Sequence, residues 1–587
     1  MKNRIKKYSR MIRLSFIICP LLFSVALSSC VDTIILPEDK TVDEDFWKSK
    51  SDVELMVNGA YQSMLNSSVI LRLIVWGDLR SDELIPASSI TGTTMEDLIE
   101  INLANTQPDN EFATWSSLYS VINNCNIVLK KAAQVMDEDP SYTQGDYQAH
   151  CSQMLALRSL CYFYLVRNFR DVPYITEAYM SSDQDRNVPQ SAPSVVLEGC
   201  INDLLQAETN AISANAYADW RRVGYFTRDA IQALLSDIYL WRGSVTHSSA
   251  DYQQAVAYCD KVIQSKKNQH VKGRFEVEEK EYPLEEGREA FSVIFVEQNA
   301  EESILELQFN GDENSSRGNQ GICQGYCHYA TNNTSIPYFY ASSLFTTSND
   351  QMWTEGGSVT NDYRRYNSTY SQDVTVGDFT CVRPRKFVAS ETNILTATVG
   401  TDASVNRQYR EYKQNYPVYR LTDILLMKAE ALTALATDDT DEQHLREAFT
   451  LAQTVNTRSK VTESDSLTWD KYSSGVTAVE ELVLAERLRE LAFEGKRWYD
   501  LLRYNYRHVE GVNYNTLLAD QTGHVANSKE MLDLMKRKLD AKGSAVAAKM
   551  ATEPRLYMPV PLADLKICPV LKQNPGYGTN DSYSKNY

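Results

Sequence analysis

Much of what an enzyme or a nucleic-acid binder needs is missing from these 587 residues. There is no HExxH pair for zinc and no glycine-rich phosphate loop, and histidine is scarce, at 7. Gly92 to Asp97, GTTMED, leads into a helix and lacks the form of a nucleophile elbow. The 11 cysteines are scattered. Only Cys323 and Cys327, in CQGYC, stand close, with neither a second pair nor a histidine cluster beside them, so no zinc site is expected. The sequence leaves open a local disulfide between those two; the remaining thiols read as buried side chains. No metal and no cofactor is expected.

Positive charge is also short. Lys and Arg total 59 against 77 acids, a net charge of −18. Such a chain repels phosphates, which argues against nucleic acid and against electrostatic attachment to anionic lipid. Glycine (24) and proline (17) are too few for a collagen-like or wholly disordered chain. Beyond the N-terminus, no apolar run reaches membrane-spanning length, so the rest is expected to be soluble.

What is present starts at that N-terminus. Lys2, Arg4, Lys6, Lys7, Arg10 and Arg13 precede an apolar run, Leu14 to Leu27, which is short for a membrane span. Residues 1–29 therefore read as a secretory signal. LSSC, Leu27 to Cys30, resembles the bacterial lipobox, which makes Cys30 the expected lipidated first residue and 30–45 a lipidated tether. Removing six positive charges and no acids takes the net charge from −18 to −24 (−18 − 6).

Apolar residues at helical spacing mark helices at 51–66, 111–135, 145–168, 192–211, 227–243 and 251–265. In TRDAIQALLSDIYLWRG, Ala230, Leu234, Ile238 and Trp241 form one stripe, and Gly243 reads as the stop. Tyr252, Ala255, Val256 and Cys259 would pack back against it, as in a tetratricopeptide hairpin without the strict consensus. Between about 266 and 415 the helical period disappears. Glu302 to Phe309, ESILELQF, reads as a strand. A stretch rich in Asn, Ser, Thr, Gly and Tyr follows, with more aromatics than a disordered linker carries. Helices return at 417–437, 442–458 and 478–504.

Six segments, taken together and in order, resemble one family. They are the lipobox, ALRSLCYFYLVRNFRDVPY (156–174), TRDAIQALLSDIYLW, YPVYRLTDILLMKAEAL, ERLRELAFEGKRWYDLLRY (486–504) and YMPVPLADLKICPVLKQNPGY. The family is the SusD/RagB-like outer-membrane lipoproteins of Bacteroidetes nutrient uptake. The likeness runs from Cys30 to Tyr577. One departure is Arg170, where the family usually has glycine before DVP, so the local turn there has to accommodate a side chain.

The resemblance implies a mainly α fold, in which tetratricopeptide-like hairpins form a right-handed superhelical scaffold with a large loop-rich ligand-binding portion. It implies a single domain over 46–587, with the scaffold at about 46–265 and 416–587 and the insertion at about 266–415. It also implies a non-enzymatic, surface-exposed outer-membrane protein that binds glycan and serves as a hinged lid on a SusC-like TonB-dependent transporter. The membrane would be met through the lipid anchor alone.

Residues 486–504 raise an alternative. Glu486, Glu490 and Glu494 stand one helical turn apart, and paired carboxylates can hydrolyse glycosidic bonds. Read as one continuous helix, however, the segment puts Leu484, Leu488, Leu491, Gly495, Trp498 and Leu502 on a buried stripe. Phe493 then points to the opposite side. Arg487 and Arg497 fall three residues from Glu490 or Glu494. Neighbouring arginines lower carboxylate pKa values, whereas a catalytic acid needs a raised one. An ion-pair network with Trp498 in the core is therefore the expectation, and a secreted glycan hydrolase or a helical scaffold for a protein partner the alternatives.

Sugars stack on aromatic rings while planar polar groups bond their hydroxyls. Two places offer both. LIVWGDLRSDEL supplies Trp76, Asp78 and Arg80. The 310–340 loops supply Asn314, Arg317, Tyr326, His328, Tyr329 and Tyr338. Trp115, with Leu118 and Ile122 at helical spacing, reads as core.

Overall fold

The computed structural model describes residues 46–87, 92–269, 281–309, 319–326, 337–346, 349–355, 358–376, 379–388, 414–462 and 466–578. The main unit comprises Trp47–Tyr179 and Asp185–Tyr587, and everything below concerns it. A small separate unit includes Met180–Gln184, in which the Met180 N–H donates to Gln184 Oε1 at 2.6 Å.

Helices dominate. The first half contains α1 (Lys50–Met64), α2 (Ser67–Ile74), α3 (Ser116–Glu138), α4 (Gln144–Phe169), α5 (Pro193–Asn210), α6 (Arg228–Thr246) and α7 (Ser249–Gln269). The second half contains α8 (Leu421–Leu435), α9 (Glu442–Arg458), α10 (Val476–Leu491) and α11 (Arg497–Arg507). Chain neighbours pack on each other: α3 on α4, α4 on α5, α6 on α7, and α8 on α9. Helix α7 also packs on α8, joining the two halves across the inserted region. This is the tetratricopeptide-like order of stacked hairpins.

Local chemistry explains the boundaries. Ser49 and Asp52 form a reciprocal capping box on α1, and Thr143 and Asp146 form another on α4. The α6 stripe is buried as expected: Ala230, Leu234, Ile238 and Trp241 are fully enclosed. Gly243, however, does not end α6. The helix runs on to Thr246 and closes at His247, whose φ is +54°. Gly243 lies where Tyr252 of α7 packs, and a methyl there would sit 3.0 Å from Tyr252 Cδ1. It is a close-approach glycine.

The helix expected over 417–437 runs only from Leu421 to Leu435, because its first four residues belong to a strand. Tyr416–Arg420 is β6, pairing antiparallel with β2 (Ser303–Leu307), so that Tyr416 faces Leu307. The inserted region supplies three strands of a four-stranded antiparallel sheet, whose remaining strand comes from Leu84–Pro86. Its order is β1 (Leu84–Pro86), β3 (Phe339–Ala341), β5 (Phe379–Pro384) and β4 (Thr369–Val376).

The expected 478–504 helix is two helices, which corrects the continuous stripe. α10 stops at Leu491 and α11 starts at Arg497, with Phe493 at φ +66° and Gly495 at φ +71° between them. Two carboxylates take the freed donors: Glu83 Oε2 accepts from Phe493 N–H at 3.3 Å, and Asp78 accepts from Gly495 N–H. Gly77 lies against Gly495 so closely that a methyl on it would come 2.3 Å from the Gly495 carbonyl oxygen. The segments 77–83 and 493–497 therefore interlock, backbone on backbone.

Among the described residues no helix is long and apolar enough to cross a membrane, and no cluster of metal-ligating side chains occurs. Cys323 is buried; Cys327 and Cys30 lie outside the described residues.

Candidate functional site

The first predicted ligand segment is interior. Trp76 is fully buried and donates Nε1–H to the Phe112 carbonyl at 2.9 Å. Asp78 is spent on the Gly495 backbone. Arg80 donates to the Leu556 carbonyl at 2.5 Å and lies over the Trp498 ring at 4.6 Å. Tyr326 is also enclosed; its hydroxyl lies 3.4 Å from Asp78 Oδ2 and its ring stacks near Phe387. Asp78 and Tyr326 brace the contact between 77–83 and 493–497, and all four side chains are enclosed and committed to the interior. Of the remaining candidates, Tyr338 is half-buried. Asn314, Arg317, His328 and Tyr329 lie outside the described residues.

The glutamates of 486–504 are structural by their surroundings. Glu486 meets Arg364 at 2.6 Å and Arg489 at 2.8 Å. Glu490 meets Arg420 and Arg458, both at 2.6 Å. Glu494 meets Lys386 at 2.6 Å and Arg420 at 2.8 Å. Burial opposes ionisation at each, but the surrounding cations outweigh it: Glu486 is pulled down to about 2, and Glu490 and Glu494 also fall. None can serve as a general acid near neutral pH. The partners differ from those expected. Arg487, on α10 with Glu490, pairs instead with Asp423 and Asp500, and Arg497, beyond the helix break, pairs with Asp82. Trp498 and Trp115 are core, as expected.

The one strongly exposed tryptophan lies elsewhere, in the connection between α5 and α6. Trp220 is 45% exposed. Its ring meets Tyr225 edge-on at 5.4 Å; Tyr225 in turn stacks on Tyr61 of α1 at 5.0 Å and meets Tyr217 at 6.2 Å. Four aromatic rings thus form one half-open surface. The connection is short-range work. Asp219 Oδ1 accepts from Arg221 N–H at 3.1 Å and starts a single turn, Arg221–Gly224. Gly224 is required by space, since a methyl there would sit 2.6 Å from the Trp220 ring and 2.7 Å from Gln308 Cγ. Behind the rings, Tyr61 accepts from Phe226 N–H at 2.9 Å, and Arg222 ties the turn to the Asn299 and Ala300 carbonyls.

The rim is polar. Arg221 and Asp219 form a two-pronged pair at 2.9 and 3.0 Å, with Arg221 also over the Tyr217 ring at 5.3 Å. The bonds from Arg221 hold the exposed Asp219 carboxyl below its usual range. Tyr225 donates to Asn58 of α1 at 2.6 Å, and Leu55, one turn earlier, is exposed beside it. Burial raises the Tyr217 and Tyr225 hydroxyls, so both stay protonated donors. Apolar ring faces edged by a carboxylate, a guanidinium and a carboxamide suit the alternating C–H and O–H surface of a sugar.

Two family models match the chain. One, described as the SusD family, covers residues 301–577; the other, described as starch-binding associating with outer membrane, covers 36–240. Together they take in most of the chain. The protein belongs to the SusD family.

The SusD-like protein P38 of Formosa agariphila is 24% identical over 82% of this chain and 89% of its own length. A SusD homolog from Bacteroides thetaiotaomicron shares the fold, with a TM-score of 0.65 at 18% identity over 92% of this chain and 99% of that one. A SusD superfamily protein from Bacteroides vulgatus gives 0.64 at 16%, over 91% and 100%. SusD membership places the protein at the outer membrane. It leaves the ligand surface to be read from this chain's own residues. Sequence reasoning passed over 217–225, YADWRRVGY, because the stretch separates two strong helices. Three aromatics, an acid and two arginines in nine residues were the available signal.

Proposed function

We propose that the protein captures oligosaccharide at the cell surface on the Tyr217–Trp220–Tyr225 platform and passes it to a TonB-dependent outer-membrane transporter. In this reading it is a hinged lid on that transporter, anchored by lipid on Cys30, and residues 46–587 act as one domain. It binds and does not catalyse. The observation that carries the reading is the exposed Trp220 indole, edged by Arg221, Asp219 and Asn58.

The outer-membrane, starch-binding description of the family matched over 36–240 supports it, since that match contains the platform. Gln308 supports it too. This side chain abuts Gly224 at the platform, six residues before Asn314 in the sequence. Those two residues, with His328, Tyr329 and Tyr338, are proposed as further contacts to the same glycan.

Affinity electrophoresis through gels containing single polysaccharides tests the binding. Retardation by at least one glycan, lost in Trp220→Ala with the melting temperature unchanged, is the expected result. Purification from outer membranes tests the transporter. The reading fails if no glycan retards the protein and no TonB-dependent transporter accompanies it.

A further inference from the structure

A second opening lies on the helical scaffold. It is a groove of about 490 Å³ between α3, α4 and α5, lined among others by Tyr147, Gln148, Cys151, Arg158, Asp203 and Gln206. That volume falls in the range of about 300–1,000 Å³ typical of small-ligand sites, and it is suited to two sugar rings.

The floor is built rather than accidental. Arg158, only 6% exposed, donates from Nε and Nη2 to one oxygen of Asp203, Oδ2, at 3.0 and 2.7 Å. Its third donor, Nη1, goes to Asn126 Oδ1 at 2.8 Å. The guanidinium charge is thus paired with Asp203 and three of its five N–H groups are used, while Asp203 Oδ1 accepts nothing among the described residues. Around the mouth stand four carboxamides, Gln144, Gln148, Gln206 and Asn210, none of whose side chains is bonded to another described residue. The Tyr147 ring and the side chains of Leu129 and Leu155 supply apolar surface.

This inventory selects a ligand class. An anion would meet the Asp203 carboxylate with no uncommitted cation to receive it. A wholly apolar molecule would strip water from four amides without replacing their hydrogen bonds. Hydroxyl groups, which donate and accept in turn, match both the open carboxylate oxygen and the carboxamides. We propose that the groove between α3, α4 and α5 binds neutral disaccharide-sized saccharide, as a second site separate from the Trp220 platform. The assignment does not depend on the platform's function.

Cys151 makes the test direct, because its half-buried thiol lines the groove. Its alkylation by N-ethylmaleimide, followed by peptide mass spectrometry on the whole lipoprotein in detergent, reads occupancy. The probes are maltose, cellobiose, lactose and N-acetyllactosamine, with triglycine and glucuronate as controls. At about ten times the dissociation constant, one of these disaccharides should slow alkylation about tenfold by mass action. Protection should persist in Trp220→Ala, even where that variant loses polysaccharide binding. Gln148→Leu with Gln206→Leu, which breaks no bond within the protein, should raise the half-protecting concentration about tenfold for two lost hydrogen bonds. The proposal is overturned if none of the four disaccharides protects Cys151. It is equally overturned if triglycine or glucuronate protects instead, or if protection disappears with Trp220 and survives the Gln148/Gln206 change.

Discussion

Asp78 accepts the backbone N–H of Gly495 on both carboxylate oxygens, at 2.9 and 3.0 Å, across 417 residues of chain. Burial, reinforced by the nearby Glu494 charge, pushes the Asp78 carboxyl up to about 7. Folded protein therefore keeps a proton that the unfolded chain, near 3.8, releases between about pH 4 and pH 7. The bound proton favours folding at the acid end of that window, and the contribution is lost as pH rises through it. Asn at 78 cannot titrate. Thermal melts at pH 5 and pH 7.5 should show Asp78→Asn losing less stability on that rise than the native protein. Over that interval the difference should be at most on the order of 3 kcal/mol. Equal pH slopes would show that Asp78 is ionised throughout.

Glu490 behaves in the opposite sense. Despite burial, Arg458, Arg420 and Arg364 hold its carboxyl well below the usual range. Its contribution is present above the unfolded pKa and is lost as pH falls through the folded one. Glu490→Gln should remove the carboxylate that Arg364, Arg420 and Arg458 share, leaving excess buried positive charge, and cost roughly 3–5 kcal/mol at pH 7, read by denaturant unfolding. Unchanged stability with loss of a glycan-cleaving activity would instead point to catalysis.

Gly224→Ala tests the platform from beneath. Its methyl would force aside the Trp220 ring or Gln308. Glycan affinity measured by calorimetry should fall several-fold, on the scale of about 1 kcal/mol, because the stacked arrangement of rings is disturbed. Circular dichroism should stay helical, since α5 ends before the turn and α6 starts after it. Full affinity in this variant would detach Trp220 from binding.

Arg170 stands at φ +66°, so the glycine-type backbone is kept by a side chain that must compensate for it. It does so through Asp171 at 2.7 Å, Glu553 at 3.1 Å, and the Thr516 and Asn513 carbonyls, with Tyr514 beneath the guanidinium. Arg170→Gly would relieve about 1 kcal/mol of backbone strain. It would also leave two buried carboxylates unpaired, at roughly 3 kcal/mol or more. The net expectation is a destabilised protein in urea titration; a stabilised one would mean the ion pairs contribute little.

The helical scaffold was legible because period-3.6 stripes such as Ala230–Leu234–Ile238–Trp241 record burial on one side. Breaks were not. The run 484–502 keeps helical spacing through Gly495, and what interrupts it is a pair of carboxylates from 77–83, which no local pattern announces. The same partnership misled the ligand reading. Trp76, Asp78 and Arg80 have the residue types of a sugar site, but only tertiary contact reveals that Phe112, Gly495 and Leu556 have claimed them. Composition cannot separate an indole under a loop from one above it.

The eight tryptophans fall into unequal surroundings. Trp47, Trp76, Trp115, Trp241, Trp353 and Trp498 are sealed in the interior, Trp469 is half-covered, and Trp220 alone is strongly exposed. The protein thus carries its own optical reporter. Water-soluble quenchers such as acrylamide will extinguish chiefly the red-edge emission of Trp220. A sugar ring laid on that indole would shield it, turning occupancy of the platform into a fluorescence signal that needs no label.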